Sequence, residues 1–174
     1  MDLEEALQLL RAQYHDFLNC LQVISGMAEL GRPEKIRDYV RRAADEFEAR
    51  GRLAKVGLPA VAWGLLLLQM EAVPAGLKVS CTLEPPVKRI EFGNAAVFRT
   101  LHAALLATVS GTGEDFALNI TGENVSGGYA LTYTGTFDWA EVKKAMGGIA
   151  EASALPLEFG DENEMVLFLP AGEA

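Results

Sequence analysis

The sequence holds only 2 cysteines in 174 residues, too few for a disulfide scaffold and with no spacing suited to a metal. Cys20 falls in a helical pattern and Cys81 in a strand-like run, so each reads as a small core residue. Positive charge is scarce as well: 15 basic against 24 acidic residues leave a net charge of −9. A phosphate backbone demands the reverse, so nucleic acid is not an expected partner. Long apolar runs are missing. The longest, Val61 to Met70, falls well short of the ~20 residues that span a bilayer. The opening Met1-Asp2-Leu3-Glu4-Glu5 is acidic where a secretory signal needs positive charge. These absences predict a soluble, cytoplasmic protein with no membrane partner.

What is present divides the chain in two. Of the charged residues, 9 basic and 10 acidic lie before Pro59, and 6 basic and 14 acidic follow. The first third is nearly neutral and carries the basic group Arg32, Lys35, Arg37, Arg41 and Arg42, most simply a solvated face. From Leu3 to Leu30 there is no proline, and Leu7, Leu10, Tyr14, Phe17, Leu21, Ile24 and Ala28 alternate at spacings of three and four. That is the a/d seam of a heptad helix. Gly31-Arg32-Pro33 breaks it, and a second helix follows from about Glu34 to Lys55. Its seam is Ile36, Val40, Ala43, Phe47 and Ala54, with Arg50 as a polar intruder. Two such arms cannot enclose both seams by themselves, so the hairpin predicts a dimeric four-helix bundle.

Beyond Gly57-Leu58-Pro59 the texture changes. A buried third helix is predicted over Ala60 to Val73, apolar almost all round. Strands are predicted at Leu77–Leu83, Phe116–Thr121, Tyr129–Thr134 and Met165–Leu169. Between them lie an amphipathic helix over Asn94–Ser110, with Val97, Leu101, Leu105 and Val109 inward, and a shorter helix near Trp139–Met146. Gly111-Thr112-Gly113, Gly127-Gly128 and the acidic run from Asp161 read as turns. The fold class is α+β: a helical hairpin over 1–57, then an α/β sandwich over 58–174 with helices on one face of a sheet.

The informative stretch runs from Arg11 to Gln22. With Tyr14 at an a position, His15 points about 130° from the centre of the seam and faces water. Arg11 lies one turn before it and Asn19 one turn after, with Gln22 a turn beyond. A neutral imidazole is a nucleophile near neutral pH. Phosphoryl transfer asks chiefly for positioning and charge stabilisation, which Arg11 and Asn19 could supply. A surface histidine on a helix is ordinarily no more than that, and these neighbours raise its interest only modestly. His102, on an amphipathic helix without a ligand-spaced partner, reads as a packing or surface residue.

His15-Asp16-x-x-Asn19, followed by Leu21-Gln22-x-Ile24-x-Gly26, resembles the phosphoacceptor helix of the sporulation initiation phosphotransferase B family. A related form occurs in citrate/fumarate-type sensor histidine kinases. Leu131-x-Tyr133-x-Gly135-x-Phe137 is similar to the family's late strand and turn. The resemblance makes His15 the phosphoacceptor, with Asp16 and Asn19 matching the motif; Arg11 and Gln22 are added from geometry. It implies a homodimer that moves phosphoryl groups between response-regulator receivers, from a single-domain receiver to a sporulation transcription factor. It also implies no cofactor of its own, with Mg²⁺ held by the receivers.

A working kinase of this superfamily needs an asparagine-bearing helix for Mg²⁺, an Asp-x-Gly-x-Gly turn and a glycine-rich lid. Thr100-Leu101-His102-Ala103-Ala104-Leu105-Leu106-Ala107-Thr108 has no asparagine, and Asp138 and Asp161 lack the glycines that should follow. The C-terminal region therefore resembles a degenerate ATPase domain, and the expected activity is phosphorelay transfer through His15 without ATP. The alternative is a non-catalytic degenerate kinase that binds and regulates a kinase or response regulator.

Overall fold

In the computed structural model, residues 3–90, 95–109, 116–153, 157–160 and 163–172 are described, with the backbone alone at 95–97 and 147–153. The chain forms two compact units, 1–52 and 53–174. The first is a helical hairpin. Helix α1 spans Leu3–Glu29 and α2 spans Pro33–Ala54. Gly31 ends α1 at φ +62°, a left-handed conformation that glycine adopts without a side-chain penalty, and Pro33 opens α2 where its missing N–H costs nothing. The basic residues from Arg32 to Arg42 named above are all exposed, as a solvated face requires.

The second unit takes in the end of α2. Leu53, Val56 and Leu58 are buried in its core. Helix α3 spans Pro59–Ala72, with proline in the first turn. Then come β1 (Lys78–Leu83), α4 (Ala95–Ala107), β2 (Ala117–Val125), β3 (Gly128–Gly135), α5 (Trp139–Ser153), β4 (Leu157–Phe159) and β5 (Glu164–Pro170). The sheet order is β1-β2-β3-β5-β4. Only β1 and β2 pair in parallel, and α4 lies between them in sequence, as a parallel crossover demands. The other pairs are antiparallel.

Strand periodicity decides which side is covered. Leu118 and Ile120, Tyr129, Leu131 and Tyr133, and Met165, Leu167 and Leu169 point inward. They meet Leu65 and Leu68 of α3, Phe98, Leu101 and Leu105 of α4, and Val142 and Met146 of α5. Ser80, Thr82, Asn119 and Thr121 face the other way and are exposed, with Ser80 donating to Asn119 across the strands at 2.6 Å. This is the expected α+β sandwich.

Several boundaries differ from the expectation. Strand β2 runs on past the expected end at Thr121, through Gly122-Glu123-Asn124 to Val125. The first three are held in register by Leu131, Ala130 and Tyr129 of β3. The hairpin closes over Ser126-Gly127 instead, where Gly127 takes φ +86°. Helix α5 extends past Met146 to Ser153. Strand β4 was not expected at all: three residues give no readable period, and pairing to Val166 defines it. Val97's side chain, Gly111-Thr112-Gly113 and Asp161 lie outside the described residues.

The cysteines diverge. Cys81 behaves as a core thiol, pushed up to about 12 by burial. Cys20 is only half-buried, because it lies between the hairpin arms beside Tyr39 and not in a core. Burial, with Cys20 close by, raises the Tyr39 phenol.

Candidate functional site

Helix α1 has no buried residue. One flank, with half-buried Leu9, Cys20, Ile24 and Met27 and the exposed Asp16, turns toward α2. The apolar seam up to Leu21 lies on the adjoining flank and stays open, whereas Ile24, expected in the seam, is half-buried: Leu7 is 43% exposed, Leu10 50%, Tyr14 69%, Phe17 50% and Leu21 46%. Val40 and Phe47 of α2 are exposed as well. A contiguous apolar surface of this kind marks an interaction site.

His15 is exposed on a third flank, one position past the seam. Its Nδ1 lies 3.1 Å from Asn19 Nδ2, the contact that a four-residue helical spacing permits. In this orientation the amide donates to an unprotonated Nδ1, with the ring proton on Nε2. A half-turn of the amide puts Oδ1 there instead, accepting from Nδ1–H and freeing the Nε2 lone pair. One neutral side chain can therefore serve both tautomers. Nε2 has no hydrogen bond among the described residues, and it is the ring atom open to a reacting group.

Asp16 follows His15 in sequence but turns away from it. Its Oδ2 accepts from Arg50 Nη1 of α2 at 3.0 Å, across 34 residues of chain. Arg50 is the intruder in the α2 seam, and this ion pair gives a physical reason for a cation there. In the sequence, the polar break that Arg50 makes in an apolar repeat is the one local sign of this pairing. Arg11 and Gln22 are exposed on α1, and no hydrogen bond or ion pair among the described residues joins either to the imidazole. The structure thus gathers His15, Asn19, Asp16 and Arg50, and gives Arg11 and Gln22 no contact with the ring among the described residues.

Residues 1–56 match the family model of the sensor kinase SpoOB-type, alpha-helical domain. The helical unit, with the segment from Arg11 to Gln22, lies within that match. The SpoOB-type resemblance read from His15-Asp16-x-x-Asn19 is therefore matched over the helical unit, and the sheet lies beyond the matched residues. No curated sequence matches the chain. Among solved structures, the chain is similar to the Acinetobacter baumannii histidine kinase AdeS at 13% identity, covering 91% of this chain and 98% of that one, with a TM-score of 0.43. A bacterial phosphotransferase shares 12% identity over 97% of each chain, with a TM-score of 0.40. A histidine kinase from Burkholderia phymatum STM815 shares 15%, covering 97% of this chain and 94% of that one, with a TM-score of 0.40.

Helix α4 turns His102 inward. The ring is 1% exposed, with Nε2 3.1 Å from the Tyr133 hydroxyl. Burial drives it down to about 3, against a weaker opposing hydrogen bond with the Gly64 backbone. A neutral ring has one donor and one acceptor nitrogen, which suits these two partners. His102 is a packing residue. Among the described residues no group of three or more His, Cys, Asp or Glu side chains is placed to hold a metal, and no helix is long and apolar enough to cross a membrane.

Proposed function

We propose that the protein is a phosphorelay phosphotransferase that accepts a phosphoryl group on His15 from a receiver aspartate and returns it to another. The observation that carries this reading is an exposed imidazole whose Nδ1 is held by Asn19 at 3.1 Å, on the helix that matches the SpoOB-type model. The Nε2 lone pair forms the N–P bond as the P–O bond to the receiver's aspartate breaks, and that carboxylate leaves with the electron pair. In the tautomer that attacks, the proton is on Nδ1, and a half-turn of the Asn19 amide brings its carbonyl there to accept it and steady the charge that develops on the ring. Arg11, one turn before His15, is close enough along the helix to meet phosphoryl oxygens brought by a partner. A Mg²⁺ ion held by the receiver, as the resemblance implies, would add charge neutralisation. Transfer is reversible because both donors are high-energy phosphoryl carriers and no ATP is consumed.

The open seam fits a second copy of this chain, which would complete a four-helix bundle from two hairpins. The receivers implied by the resemblance are a single-domain response regulator and a sporulation transcription factor. The lack of an asparagine from Thr100 to Thr108, and of the glycine turn after Asp138, support a carrier without nucleotide chemistry of its own.

The test uses receiver domains charged with labelled phosphoryl, with ATP absent. Label should pass to the protein, be acid-labile, and disappear in His15→Ala. Label persisting in that variant sinks the assignment. Receiver binding that survives His15→Ala, with no phosphohistidine in the wild type, would instead favour a non-catalytic regulator.

A further inference from the structure

We infer that Arg50 is a positioning residue for His15: it pins the Asp16 carboxylate from the second arm of the hairpin and so leaves Nδ1 to the Asn19 amide. The inference rests on the carrier reading and adds a control over the state of the ring.

Three observations meet here. Arg50 occupies a seam position that Ile36, Val40, Ala43, Phe47 and Ala54 otherwise keep apolar, so a guanidinium there is not explained by packing. Its partner is remote: the ion pairs Arg41–Asp38 and Arg52–Glu48 lie within one helical turn, whereas Arg50–Asp16 joins the two arms. Asp16 is the immediate neighbour of His15, yet the contact to Nδ1 comes from Asn19.

The chemistry gives this division a purpose. A free carboxylate beside His15 would compete with the amide for Nδ1–H. A carboxylate at that nitrogen favours the charged ring, and a ring protonated on both nitrogens has no lone pair with which to attack phosphorus. With Asp16 engaged by Arg50, the partner of Nδ1 is a neutral amide that fits either tautomer. Arg50 touches neither the imidazole nor the phosphoryl group, and its effect passes through Asp16.

The experiment is a double-mutant cycle on the full chain with Arg50→Gln, Asp16→Asn and the pair. Two readouts are followed: the initial rate of His15 labelling from a phosphorylated receiver across pH 6 to 9, and the His15 ring titration by ¹⁵N NMR. Arg50→Gln should slow labelling at pH 7 by about two- to fivefold, the scale of a partly exposed ion pair. It should also move both pH profiles upward. In the Asp16→Asn background the same change should have no effect on either. An Arg50→Gln protein with wild-type profiles, or an equal loss in both backgrounds, overturns the inference; an equal loss would make Arg50 merely structural. Failure of the carrier reading looks different. The wild type then takes no label at all, and the NMR titrations still decide whether Arg50 governs the ring.

Discussion

His102 uses its polarity inside the second unit, with Tyr133 and the Gly64 backbone as partners. This has a consequence in acid. Its folded value, about 3, lies below the ~6.5 of an exposed imidazole, so the unfolded chain binds the extra proton between those limits. The stabilisation tied to the neutral ring is complete above pH ~6.5 and is lost as the pH falls toward 3, at up to about 1.4 kcal/mol per unit. His102→Leu should take the Tyr133 hydroxyl's imidazole partner away in the core and cost about 1–3 kcal/mol at pH 7. Its stability should then fall less steeply in acid than the wild type's, which urea melts at pH 7, 5.5 and 4 would show. Equal slopes would mean that His102 is not held neutral. His15 is the opposite case, exposed and met by a rotatable amide. The same side chain is structural where it is enclosed and available for chemistry where it is not.

At the scale of elements, the contact between α3 and α4 depends on a glycine. A Cβ built on Gly64 would come 2.9 Å from Phe98 Cβ and 3.2 Å from its Cγ. Phe98 is fully buried and its Cβ cannot retreat without moving α4. Alanine would gain about 0.5–1 kcal/mol of helix preference, but overpacking a core costs about 1–3 kcal/mol. Gly64→Ala should therefore destabilise the second unit by about 1–2 kcal/mol, read as a lower denaturation midpoint, while His15 labelling is retained. A neutral or stabilising result would show that the two helices are not in close contact. Legibility also varies by element. The long helices α1 and α2 were readable within a residue or two, because a heptad repeat and a Gly-x-Pro break are local signals. The hairpin of β2 and β3 was only half readable. The strand continues past Thr121 because Gly122 pairs with Leu131, and the position takes glycine because a Cβ there would meet the Tyr129 hydroxyl and Leu83. Within the site, His15, Asp16 and Asn19 were visible as a motif. The bond from Asp16 to Arg50 was not, since it joins residues on separate helices.

For the whole molecule, the exposed seam of α1 bears on assembly. If two hairpins close over it, Phe17 becomes part of an apolar interface. Phe17→Glu would then strand a carboxylate there at a cost of about 3 kcal/mol or more, roughly 100-fold in Kd. Sedimentation at micromolar concentration should show a dimer for the wild type and a monomer for the variant, with the helical content of each hairpin largely kept. A monomeric wild type would leave the seam to some other partner.

The sequence by itself determined the helical hairpin, the change to mixed strands and helices beyond Pro59, and the phase that exposes His15. Each of these is written in spacings of a few residues and in local breakers. Tertiary structure alone decided the rest. It turned His102 inward beneath Tyr133, extended β2 through its glycine, and created β4 by pairing with β5. It also sent Asp16 to Arg50 while Asn19 took the imidazole. Those outcomes depend on which groups meet across long stretches of chain, and desolvation and competition between partners, not local propensity, set them.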